Sequence, residues 1–224
     1  MNKLEKQQKQ KEIITAVRSC STETLTTLLK EGVSPNTLSP DGDTLLLYAI
    51  HLCLCKTPHN YNAIVEILVK YGANINIDNK NGDFPLILAS HSRTPEITKI
   101  LLNAGANVNI HDDMGINALH MAVMSNHPNT AKCLIKSGID TNAINYMGQT
   151  PLHLAAERGG ICFIRMLVKA GSDPYITDRH KNTPLDIFSV YKDKYTKYKE
   201  ELKHQRLKEE DRLRNTKTGF EFDI

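Results

Sequence analysis

Apolar doublets recur along this chain, each followed by a glycine at a constant offset. Leu28-Leu29, Leu68-Val69, Leu101-Leu102, Leu134-Ile135 and Leu167-Val168 precede Gly32, Gly72, Gly105, Gly138 and Gly171. The last four glycines stand 33 residues apart, and Gly32 precedes Gly72 by 40. A glycine placed just after an apolar step can adopt a positive φ and close a helix. The pattern therefore predicts a series of helices, each ending at one of these glycines. A second marker runs in phase with the first. "TLLL" at Thr44, "FPLI" at Phe84, "NALH" at Asn117, "TPLH" at Thr150 and "TPLD" at Thr183 follow one another at 40, 33, 33 and 33 residues. Two markers sharing one period define an internal repeat, to be settled before any other feature of the chain is read.

The unit has a local chemical logic. Gly42, Gly82, Gly115 and Gly148 suit tight β-turns. Thr ahead of Pro, as in Thr150-Pro151, supplies a hydroxyl at a helix start, and Pro is tolerated in the first helical turn. The leucine and the small alanines that follow bury on one side, and alanine lets two helices approach closely. Before the first full unit, "EIITAVRS" and "TETLTTLLKEG" predict two helices without a turn motif, a degenerate unit over about residues 9–38.

The segments "DDMGINALHMAV" and "NYMGQTPLHLAAERGG" and the endings "YGANINI" and "NAGANVNI" resemble the ankyrin repeat: a hairpin turn, a short helix and an antiparallel longer helix. The resemblance covers most of the chain. It implies an all-α fold, an ankyrin-repeat α-solenoid with projecting β-hairpin turns, and a binding protein rather than a catalyst. The expected division is 1–38 as N-terminal capping helices, 39–190 as the repeat array, and 191–224 as a C-terminal capping and charged helix with a mobile tail. In that last segment Tyr191, Tyr195, Tyr198 and Leu202 form one helical stripe. Mixed charges follow it, and Phe220 and Phe222 offer a short partner-binding motif if the tail is more than disorder. The family also implies that the histidine in the helix-start motif, His120 or His153, bonds between neighbouring hairpins. The other units place Leu47, Ile87 and Asp186 there, so no shared chemistry is required. Asn76 and Asn109 occupy a hairpin-adjacent position that family members sometimes present for hydroxylation; the alternative is a turn hydrogen bond.

Composition narrows the function. The chain has 224 residues with no Trp and a formal net charge of +3, too slight to argue for nucleic acid. No apolar run approaches the roughly 20 residues of a membrane span. The polar N-terminus lacks the apolar core of a secretory signal. Five scattered cysteines without a C-x-x-C pair suit a reducing compartment. A cytoplasmic location is expected, with secretion into a host cell as an alternative suggested by Lys-, Asn- and Ile-rich usage.

The seven-residue surplus of the first full unit lies in "HLCLCKTPHNYN". Its His51, Cys53, Cys55 and His59 raise the question of zinc, which takes Cys and His ligands in fours. Side chains at i, i+2 and i+4 of a helix point in divergent directions, however. The simpler reading is an elongated helix plus a loop, with no metal and no cofactor. No nucleophile elbow, phosphate loop or metalloprotease motif occurs.

The resemblance places binding at hairpin tips and on the concave face of the first helices. The middle tips offer Asp113, Met114, Ile116, Tyr146, Met147 and Gln149, and the last offers Arg179 and His180. The first-helix ends offer His91, Ser92, Met124, Ser125, Glu157 and Arg158. Met114, Ile116, Tyr146 and Met147 either form a contiguous exposed patch for a partner or pack against one another between hairpins. The selected partner-binding set is Met114, Ile116, Met124, Tyr146, Met147, Arg158, Arg179 and His180. The expected protein is a monomeric, non-enzymatic interaction module, an adaptor or effector of an intracellular microbe or protist, with a protein partner and neither nucleic acid nor membrane. Two alternatives stand beside it. One is a subunit docking through its charged C-terminal helix; the other is a metal-dependent enzyme using the insertion around Cys53.

Overall fold

The computed structural model describes residues 3–55, 61–92 and 95–189. Among these residues the chain forms eleven helices: α1 (Lys3–Arg18), α2 (Thr22–Lys30), α3 (Leu45–Cys55), α4 (Tyr61–Lys70), α5 (Pro85–Ala89), α6 (Glu96–Asn103), α7 (Ala118–Met124), α8 (Pro128–Lys136), α9 (Pro151–Glu157), α10 (Ile161–Lys169) and α11 (Pro184–Ser189). Odd-numbered helices pack in one row and even-numbered helices in a second, each pair resting on the pair before it. One continuous apolar core runs between the rows, from Ile13 and Val17 through Leu46, Leu68, Leu101, Leu119 and Leu134 to Leu167. The fold is the expected all-α solenoid. Its hairpins are so short that the only β pairings among the described residues are the isolated bridges Leu38–Thr44 and His111–Asn117.

The sequence markers act as their chemistry requires. Gly105 (φ 85°) and Gly138 (φ 82°) close α6 and α8 in the left-handed region. At the hairpins, one side chain organises each turn. Asp112 Oδ1 accepts the N–H groups of Met114 (2.9 Å) and Ile116 (2.8 Å), and Asn145 Oδ1 accepts those of Met147 and Gln149 (2.9 Å each). Asn79 and Asp178 repeat the arrangement. Hairpins then stack on one another: Tyr146 N–H donates to Met114 O at 2.8 Å and Arg179 N–H to Met147 O at 3.0 Å. A Cβ on Gly148, which has φ 75°, would lie 3.1 Å from Arg179 N and 3.2 Å from Asp178 Cα, so a side chain there would be strained and would push against the next hairpin.

A further ladder joins the units on the far side of each hairpin. Asn36, Asn76, Asn109 and Asn142 accept the backbone N–H groups of Asn74 (2.8 Å), Asn107 (2.9 Å), Asp140 (2.8 Å) and Asp173 (2.8 Å). Asn76 and Asn109 thus spend their carbonyl oxygens on the next unit. The following position in the series is Tyr175, which carries no side-chain amide.

The buried histidines bridge units as the family resemblance implies. Each Nε2–H donates to a carbonyl of the next hairpin, His120 to Gln149 O at 3.0 Å and His153 to Asn182 O at 3.2 Å. Each Nδ1 accepts the N–H of its helix-capping residue. At the second site the Thr150 hydroxyl also reaches Nδ1, at 2.9 Å, and can donate to it. At the first, Asn117 Oδ1 faces Nδ1 at 2.8 Å, acceptor against acceptor, while the buried Asn117 Nδ2 has no partner. Asn117→Thr should therefore raise stability by about 1 kcal/mol, because it replaces an orphaned donor and a lone-pair conflict with a hydroxyl that fits. Urea denaturation checks this; an unchanged or lower midpoint would refute it.

Two details differ from the sequence expectation. Helix α1 begins at Lys3 rather than within residues 9–12. Residues 3–11 are strong helix formers with little apolar periodicity, so propensity rather than pattern extends the helix. Ile116, expected at an exposed tip, is only 9% exposed. The chain reverses at Gly115, and Ile116 already belongs to the leg that runs down into α7, whose capping residue Asn117 is buried. The surplus of the first full unit lengthens α3 to 11 residues, against 7 in α7 and α9.

Candidate partner-binding face

The third, fourth and fifth hairpins carry most of the expected site. Met114 and Tyr146 are 53% and 50% exposed and lie side by side through the Tyr146 N–H to Met114 O bond. Met147 is half-buried beside them. The Arg179 guanidinium lies over the Tyr146 ring, 5.4 Å from its centre, close enough for a cation–π contact. His180 is exposed on the same last tip. These tip residues, from three units, come together; Ile116 does not join them.

Met124 and Arg158 are exposed at the ends of α7 and α9, at the other end of the first helices from the tips. Arg158 borders a small pocket of about 230 Å³ with Val123, Asn126, Ala155, Gly160 and Phe163. The other first-helix ends are committed internally. His91 Nδ1 pairs with Ser125 Oγ at 2.6 Å, the Gln149 side-chain amide donates to Glu157, and Ser92 is buried.

The insertion brings together a different set from the one the sequence suggested. His51 Nδ1 lies 3.0 Å from Asp43 Oδ2. Asn79 Nδ2 donates to Asp43 (2.7 Å) and Asp83 (3.0 Å). This network ties α3 to the first two hairpins and could have been sought in the shared spacing of Asp43 and Asp83 from Thr44 and Phe84. Cys53 is buried, and burial pushes its thiol up, while Cys55 is exposed. His59 lies outside the described residues. Among the described residues no three His, Cys, Asp or Glu side chains form a group able to hold a metal, and no helix is long and apolar enough to cross a membrane. The expected C-terminal stripe of Tyr191, Tyr195, Tyr198 and Leu202, and the tail with Phe220 and Phe222, also lie outside the described residues.

Sequence reasoning missed a second group of exposed apolar side chains. Leu38, Ile77, Ile144 and Tyr175 lie on the segments leading into the hairpins. Their position six to eight residues before each helix-start marker was available as a signal.

No curated protein matches the chain. The family model for ankyrin repeats matches it in three overlapping stretches, residues 13–112, 51–145 and 104–178. Together these span the paired helices, the hairpins and the stacking bonds described above, and the chain belongs to the ankyrin-repeat family.

Proposed function

We propose that this protein is a non-enzymatic module that holds a partner polypeptide on the tips of its third to fifth hairpins, with Met124 and Arg158 as flanking contacts. One observation carries the reading: Met114, Tyr146 and Arg179, drawn from three successive units, form a single exposed apolar surface with a cation at its edge. Tyr and Arg are the side chains from which binding hot spots are most often built, and Met adapts to irregular partner surfaces. Backbone stacking of the hairpins presets the patch, so little ordering cost accompanies binding. Five unbridged cysteines suit a monomer working in the cytosol, either of its own cell or, for an effector, of a host.

Proximity labelling in the native cell identifies the partner, and its affinity for Tyr146→Ala combined with Met147→Ala tests the patch. The expected result is a dissociation constant raised at least about tenfold, roughly 1.4 kcal/mol, with the helical spectrum unchanged. Unchanged affinity would remove the patch from the interface.

A further inference from the structure

Helices α1 and α2 form a pair like the others, but residues 6–11, one 33-residue period before the first hairpin (Ser39–Thr44), continue α1 instead of forming a hairpin. An open groove of about 760 Å³ runs between α1 and the segment Ser34–Pro40. Lys6, Gln7, Gln10, Lys11 and Ile14 line it from α1, and Leu38 and Pro40 are the apolar side chains opposite. Leu38 is 56% exposed.

The charges along the groove discriminate between occupants. No carboxylate lines it. Lys9, on the same helix, is neutralised by Glu31 at 2.8 Å, whereas Lys6 and Lys11 form no ion pair among the described residues. A second copy stacking end to end would offer its own last hairpin, which carries Arg179, His180 and Lys181. That would set cations against Lys6 and Lys11, at a cost that like charges always carry. Backbone pairing is also curtailed. In later units the residue after the turn-organising side chain, Tyr146 or Arg179, donates its N–H to the preceding hairpin. The corresponding residue here is Pro40, which has no N–H. Recognition must therefore come from side chains.

We propose that this groove is a second binding site, separate from the tip patch, and that it takes an acidic segment of a protein partner. Carboxylates of that segment pair with Lys6 and Lys11, and one apolar side chain covers Leu38 and Ile14.

Fluorescence anisotropy of the full chain with two labelled heptapeptides tests the site. One probe alternates Glu or Asp with Leu or Phe; the other replaces every acid by Lys. The acidic probe should bind, and more weakly as salt shortens the reach of surface charge. Lys6→Glu with Lys11→Glu should weaken it at least tenfold, and Leu38→Ser should weaken it as well. All three positions are exposed, so the variants keep the fold, which the helical spectrum verifies. Tyr146→Ala with Met147→Ala should leave this binding unchanged, which separates the groove from the tip patch. Failure of the acidic probe to bind, equal binding of the lysine probe, or indifference to the charge reversals would overturn the proposal. So would a concentration-dependent dimer abolished by the reversals, which would place a second copy in the groove. If deleting residues 219–224, themselves acidic and aromatic, tightened the probe tenfold, the chain's own tail would be the occupant and the partner assignment would fall.

Discussion

Leu119→Ala lowers the unfolding free energy by about 2–5 kcal/mol, the range for deleting a fully buried leucine side chain. Leu119 is completely buried in α7, and α7 packs against α5, α8 and α9. Removing the side chain loses its transfer free energy and leaves a cavity that a short helix, pinned to the next hairpin by the bond from His120 to Gln149 O, cannot collapse to fill. The site lies in the middle of the stack. Repeat arrays are stabilised by each unit and by its two interfaces, so the central unit influences both halves. The exposed Met114→Ala, five residues away, should cost no more than about 0.5 kcal/mol. Urea denaturation of both variants makes the comparison, and a loss below about 1 kcal/mol for Leu119→Ala would refute the placement of the core.

Acidification should destabilise the array through His120. Burial is the main cause that lowers its pKa from the ordinary 6.5 to about 4, outweighing the Gln149 carbonyl and the more distant Asp112 and Asp140, all of which favour the cation. In the unfolded chain this imidazole takes up a proton near pH 6.5; in the folded chain it does so only near pH 4. Between those values the unfolded state binds more protons, so stability rises with pH through that window. The contribution is fully present above pH 6.5 and lost as pH falls through 4, an effect on the order of 3 kcal/mol. His120→Leu isolates it, because Leu47 occupies the same place in the first full unit. The variant sacrifices the bond to Gln149 but removes the titrating group. The difference in unfolding free energy between the natural protein and His120→Leu should therefore shrink from pH 7.5 to pH 4 by roughly that amount. A constant difference would show that His120 does not titrate in this window.

Much of the fold was open to reading because its determinants are local. A glycine at a helix end, an Asp or Asn three residues before a turn glycine, and a Thr-Pro helix start each act over a few residues of chain. Repeated at one period, they specify paired helices and hairpins without reference to any distant contact. Helix α1 was read too short because residues 3–11 are helical by propensity without an apolar stripe to announce it. Among the candidate site residues, Met114, Tyr146, Arg158, Arg179 and His180 are exposed as expected. Ile116 failed because the exposure of a hairpin residue depends on where the turn reverses and not on distance from the turn glycine. The Asp43–His51–Asp83 network escaped notice since Asp83 belongs to the next unit and meets the Asp43–His51 pair only once the two units stack.

The sequence by itself determined the unit, its number of helices and the family. Tertiary structure alone decided what the surface offers. It set Arg179 over Tyr146, turned Ile116 inward, and opened a lysine-lined groove where α1 runs past the first hairpin. The physical reason is the range of the forces involved. Turn and capping chemistry is satisfied within one unit, whereas a shared surface exists only after residues some 33 positions apart have been brought into contact by stacking.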